Sequence, residues 1–211
     1  MKPSLFLVSI IILTLSSNFK AQDNSAFEKG TVVATVGYGF PDFYRTSVRT
    51  AYGSPYTSKK ITGFGPLIVK GDYGIVKFKW GHSVGAGIVL GYSSTKATYS
   101  YYHYDYSIPR TLITGTDVYS TITIGARGTY HFFTKEKIDC YASVGLGFNI
   151  NSYSESTSGY NTNATGYVMR APLASAFTVG IRYYFTKNIG VYAEVGWDMS
   201  VPMQGGLAIK F

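Results

Sequence analysis

Seven charged residues, Lys70, Asp72, Arg127, Arg182, Glu194, Asp198 and Lys210, interrupt segments that otherwise alternate apolar with small polar residues. Each falls on the polar parity of its segment, so in extended chain all seven project from the same face. Two kinds of chemistry are open to such a set. Charges enclosed together neutralise one another as ion pairs, because an unpaired charge in a low-dielectric interior is costly. Charges lining an open channel would instead form a gate. Arg182 and Glu194 lie on consecutive segments across a short turn, and Glu194 and Lys210 lie across the last connection. We expect Arg182 and Glu194 to be energetically coupled.

Nucleophilic and metal chemistry find less material. His82 and His131 lie near short turns, and His103 sits at the opposite end, in "YSYYHYDYS", with no Ser-His-carboxylate spacing around it. Cys140 is the only cysteine, so an exported chain of this composition must hold its fold without an intramolecular disulfide. "GAGIVLG", Gly85 to Gly91, lacks the G-x-G-x-x-G spacing and a following helix, and reads as strand glycine. "NAT" at Asn163 matches a glycosylation acceptor in too short a pattern to weigh. No catalytic residue, cofactor site or metal site is assigned, and an enzyme is not expected.

The elements that position these residues are strands. Tyr119 to Phe132 puts Ile122, Ile124, Ala126, Tyr130 and Phe132 on one parity and Tyr119, Thr121, Thr123, Arg127, Thr129 and His131 on the other. The same period runs through Cys140 to Ile150, Phe177 to Phe185, Val191 to Asp198 and Gly206 to Phe211. Thr31 to Phe40, Pro66 to Ile75 and Val84 to Ser94 complete a set of eight, with Ile68 out of step in the second. Short links near Lys77 to Trp80, Thr134 to Lys137 and Thr186 to Ile189 alternate with long polar connections over Pro41 to Gly63, Lys96 to Thr116 and Asn151 to Pro172, and a shorter one over Met199 to Pro202. Short and long connections therefore gather at opposite ends of the sheet.

Residues 1–21 stand apart: Lys2, a mainly apolar run from Leu5 to Leu15, then small and polar residues up to Ala21-Gln22, the layout of a secretory signal peptide. Residues 22–211 form one domain carrying most of the chain's 20 Tyr, 24 Gly and 13 Phe, and they are basic, which favours anionic partners such as lipid head groups over nucleic acid. Alternation alone does not say which face meets solvent. The polar face decides, being rich in Gly, Ser and Thr where a water-exposed face would carry many Lys, Glu and Asp. Aromatics agree: Phe132, Phe133, Tyr183, Phe185 and Phe211 fall at the short-turn ends of strands and Tyr38, Phe40, Tyr92 and Trp197 at the other, two belts such as a bilayer's interfaces select. The expected fold is all-β, an eight-stranded antiparallel up-and-down transmembrane β-barrel, with Arg127 and Arg182 pointing inward.

The signal segment, the alternating strands, "ASVGLGFNI", the echo between "FFTKEKIDCYASVG" and "YFTKNIGVYAEVGW", and the ending "GGLAIKF" together resemble the eight-stranded outer-membrane barrels of the OmpA and OmpX type. The resemblance implies a Gram-negative outer-membrane location, insertion by the barrel-assembly machinery, contact with outer-membrane lipids including lipopolysaccharide, and a monomer. It implies a structural or surface-interaction role carried by the long external connections, where Arg45, Arg49, Lys59, Lys60 and Arg110 would either meet lipid phosphates or stay solvated. A narrow pore for ions or small solutes is the alternative, and a lipid A-modifying enzyme the third reading. Within the echo, Ser143 of the first copy stands where Glu194 stands in the second.

Overall fold

The computed structural model describes residues 25–51, 58–105, 108–158, 165–166, 173–198 and 201–211; the signal segment 1–21 and Asn163 lie outside them, as do the side chains of His103 and Arg110. Eight long strands follow in order: β1 Val32–Phe40, β2 Ser58–Lys77, β3 Ser83–Asp105, β4 Ile108–Thr134, β5 Ile138–Ser158, β6 Leu173–Tyr184, β7 Ile189–Asp198 and β8 Val201–Lys210. One helix, α1 Phe43–Ala51, follows β1, and a two-residue strand, Thr165–Gly166, pairs with β5. Each long strand is antiparallel to its sequence neighbours, and β1 pairs with β8, so the sheet closes on itself as an up-and-down barrel.

Period-two alternation sets the two faces. Along β6 every other residue is exposed and every other buried, Leu173 outward, Ala174 inward, and so on to Tyr184. The outward set is apolar and heavily exposed: Ile88 61%, Leu146 63%, Phe148 64%, Phe177 64%. An apolar surface that continues around a closed ring is too large for a partner patch; it is a surface solvated by acyl chains, with every ladder hydrogen bond satisfied inside the ring. Tyr183, Phe132, Phe133 and Phe185 are exposed at the short-turn end, and Tyr38, Phe40, Tyr92 and Trp197 toward the other. Ile68, out of step in the sequence, is an inward residue 6% exposed, packed in the lumen with Val89, Ala174, Ala176 and Val201.

One expectation is corrected. The long polar connections are in large part strand: β3 and β4 remain paired from Ser83↔His131 out to Asp105↔Ile108, β4 and β5 out to Thr114↔Ser158, and β2 and β3 out to Ser58↔Ser100. Crossing a bilayer takes about 9–11 residues, which β6, β7 and β8 meet with 12, 10 and 10. The strands β2 to β5 run to 20, 23, 27 and 21 residues and rise well above that rim as a projecting wall. Outside the acyl layer no apolar face is required, so the apolar alternation fades while Thr, Tyr and Val continue the ladder. The helix α1 packs on the inner side of this wall, Val48 against Ala97 and Tyr99, with Ile61, Tyr101 and Tyr119 around them.

Residues Ser25 to Gly30 occupy the opposite mouth. Ala26 and Phe27 are fully buried with Val33, Tyr184 and Ala208. The Phe27 ring stacks on His131 with centroids 3.7 Å apart, and the Ala26 amide donates to the Lys135 carbonyl at 2.9 Å.

Candidate functional site

Inside the ring, inward polar and charged side chains from six strands form one hydrogen-bonded network. Lys70 and Asp72 come from β2, Arg127 from β4, Asp139 and Tyr141 from β5, Arg182 from β6, Glu194 and Asp198 from β7, and Gln204 from β8. Asp72 receives Arg127 in a two-pronged contact, Nε to Oδ1 at 2.7 Å and Nη2 to Oδ2 at 2.6 Å, and also Nη2 of Arg182. Glu194 accepts from Arg127 Nη1 at 2.9 Å, Tyr141 Oη at 2.6 Å, Gln204 Nε2 at 2.7 Å and the Lys70 ammonium. Lys70 also reaches Asp198 Oδ2 at 2.6 Å. Every one of these side chains is at most 6% exposed, so the pairs are insulated from solvent screening. Small residues make the room: a Cβ on Gly180 would lie 2.5 Å from Tyr141 Cζ and 2.7 Å from Glu194 Cγ.

Of the seven charges singled out in the sequence, the fold brings six together. Lys210 sits apart, half-buried at the short-turn end, donating to the Ser25 carbonyl at 3.3 Å with its ammonium 5.0 Å from the Tyr184 ring. Arg182 is not paired with Glu194. Its guanidinium goes to Asp72 and, at 3.2 Å, to Asp139, and lies 4.3 Å over the Tyr141 ring, so the two residues communicate through Tyr141 and through Asp72 and Arg127. Ser143 does meet the site of its echo partner: it hydrogen-bonds Thr178 at 2.6 Å, whose hydroxyl reaches Glu194 at 3.4 Å. Two members carry weaker marks in the sequence: Asp139 shares the odd parity of Tyr141, and Gln204 precedes the alternation that opens at Gly206. Phe27 precedes the first strand and carried no periodic signal at all.

A Thr-His-Asp arrangement lies below the network, away from His103. His131 Nε2 is 3.0 Å from the Thr129 hydroxyl and Nδ1 is 2.7 Å from Asp139 Oδ1. Such an order can activate a hydroxyl, but Thr129 is 2% exposed beneath the Phe27 plug and Asp139 is shared with Arg182. Here the histidine anchors the plug.

On the other side of the network, beneath α1, the lumen widens into a cavity of ≈ 420 Å³. Its apolar side is Ile68, Val89, Ala174 and Val201. Its polar side carries Thr121 and Thr123, whose hydroxyls donate at 2.7 Å to Asn151 Oδ1 and Asn149 Oδ1. Phe43 and Trp197, with ring centroids 6.0 Å apart, stand at the rim. A second cavity of ≈ 390 Å³ lies outside the ring between α1 and β2, lined by Arg45, Arg49 and Lys59 together with Tyr38, Phe40 and Ile61.

Comparison with known proteins gives one family and loose structural likenesses, among them two proteins of solved structure. The model of the family described as "Domain of unknown function (DUF2715)" matches residues 19–209. Ail, the attachment invasion locus protein of Yersinia pestis, crystallised with the heparin analogue sucrose octasulfate, is 14% identical over 87% of this chain and 99% of its own, with a TM-score of 0.38. The N-terminal β-barrel domain of Pseudomonas aeruginosa OprF is 14% identical over 90% of this chain and 98% of its own, with a TM-score of 0.36. No curated protein matches. The architecture therefore rests on this chain's own strand pairing.

Proposed function

The chain belongs to the DUF2715 family, and we propose that it is a non-conducting outer-membrane barrel whose work is done at the cell surface by the wall that β2 to β5 raise above the rim. The observation that carries this reading is the asymmetry of the barrel: four strands end at the rim while four continue past it in register, a surface far larger than membrane anchoring requires. Extended paired strands offer a rigid face, whose display of Tyr and Lys suits contact with another surface.

Against a narrow pore stand the buried ion pairs that tie β2 and β4 to β6 and β7 across the lumen and the Phe27 plug beneath them. An eight-stranded interior is about wide enough for side chains to fill. Reconstituted protein should show no steady single-channel conductance in planar bilayers; a stable open level in the wild type would reinstate the pore. The surface role is tested by shortening the β3–β4 hairpin, removing residues 97–116. The expected product keeps heat-dependent gel mobility yet no longer supports attachment of expressing cells to surfaces, and unchanged attachment would refute the role of the wall.

The cleft of Arg45, Arg49 and Lys59 beside Tyr38 and Phe40, basic on balance with Asp42 paired to Arg45, supports lipid phosphate, as in lipopolysaccharide, as the membrane partner. Insertion by the barrel-assembly machinery and a monomeric state complete the proposal, since at membrane depth the closed ring leaves no edge strand asking for a partner.

A further inference from the structure

The cavity beneath α1 has no part in holding the barrel closed, and it carries one unanswered carboxylate oxygen. Among the described residues its acidic or basic linings are Asp42, which is paired with Arg45 at 3.5 Å, and Asp198. Asp198 is the one member of the buried network that reaches it. Its Oδ2 accepts from Lys70 and Gln204, and that Lys70 is shared with Glu194. Its Oδ1 is buried with no hydrogen-bond partner. A buried carboxylate oxygen without a donor is costly, and such atoms in folded proteins are nearly always satisfied.

We propose that this cavity binds a small amphipathic amine: an organic cation whose ammonium group donates to Asp198 Oδ1, whose apolar body lies along Ile68, Val89 and Val201, and which carries an oxygen for the opposite side. Each feature of the ligand answers one of the cavity. Thr121 and Thr123 occupy the Oδ1 atoms of Asn151 and Asn149, which leaves the amide N–H groups of both asparagines to donate to a ligand hydroxyl or carbonyl. The free oxygen of Asp198 selects a donor cation over an anion, and the aromatic rim of Phe43 and Trp197 favours its entry through cation–π attraction. A volume of ≈ 420 Å³ is within the range of small-molecule pockets. The inference needs the barrel and its lumen, not the surface role of the wall, so either can fail without the other.

The two tryptophans make the test selective. Trp197 stands at the cavity rim, and Trp80 is 87% exposed in the β2–β3 turn at the far end of the barrel. With 15N-labelled Trp in the refolded barrel, titration with tyramine should move the Trp197 indole resonance saturably and leave Trp80 still. The uncharged p-cresol, with the same ring and hydroxyl, should bind about tenfold more weakly, about the factor a charge-assisted hydrogen bond supplies. The anionic 4-hydroxyphenylacetate should give no saturable shift. Asp198→Asn should abolish the preference for tyramine over p-cresol, and Ala174→Trp, which fills the cavity, should abolish both while retaining heat-dependent mobility. Equal responses to the three compounds, or equal shifts at both tryptophans, would overturn the proposal in the wild type alone, whatever the variants do.

Discussion

Glu194 shows how much one side chain holds. It accepts from groups on five other strands, Lys70, Arg127, Tyr141, Thr178 and Gln204, so its removal leaves a buried ammonium and guanidinium each short of a partner. Breaking a buried pair on one side costs about 3–5 kcal/mol; Glu194→Ala should lower unfolding stability by that order in urea titrations of the vesicle-inserted protein. The pairing pattern makes a second expectation. A double-mutant cycle on Arg127 and Asp72, which meet in a two-pronged contact, should give a coupling of about 1–3 kcal/mol, and Arg182 with Asp72 the same order. Arg182 with Glu194 should couple more weakly, through Tyr141, and a coupling as large as that of Arg127 with Asp72 would contradict the contacts described. Gly180 carries a steric counterpart: any side chain there enters the space of Tyr141 and Glu194. Gly180→Leu should fail to give the compact, heat-modifiable form on gels.

At the scale of elements, the projecting parts of β3 and β4 separate a wall from a loop. If residues 96–103 and 111–116 are ladder, their amides should exchange hydrogen at least about a hundredfold more slowly than unpaired chain, as paired backbone does; exchange at the unprotected rate would return the segment to a loop. The helix α1 should depend on that wall. Val48 is 5% exposed against Ala97 and Tyr99, and Val48→Asp would bury an unpaired charge, a change that detaches helices of this size. The expected result is protease cleavage within α1 with the barrel itself intact. At the other mouth, Phe27→Ala removes the ring stacked on His131 and under Arg182. It should leave the strands folded and introduce transient conductance steps absent from the wild type, because the ion pairs above it remain the second seal.

Over the whole molecule, the pattern that the chain repeats most often was the one most easily read. Period two marks eight strands, assigns Arg127 and Arg182 to the inside and Ile122, Ile124 and Phe177 to the outside, and places the short turns, with no knowledge of pairing required. The ends of the strands were not legible, since beyond the acyl layer Thr and Tyr serve paired strand and polar loop alike. Partners across the lumen were not legible either. Lys70 and Glu194 are 124 residues apart in sequence, and only closure of β1 on β8, with its particular stagger, brings their strands face to face. The sequence by itself determined which side of each strand a residue occupies, because that follows from local backbone geometry. Tertiary structure alone decided which charge answers which, that Phe27 plugs the lumen, and that a cavity with an unanswered carboxylate lies under α1. Those depend on distances between segments that the period of a single strand does not encode.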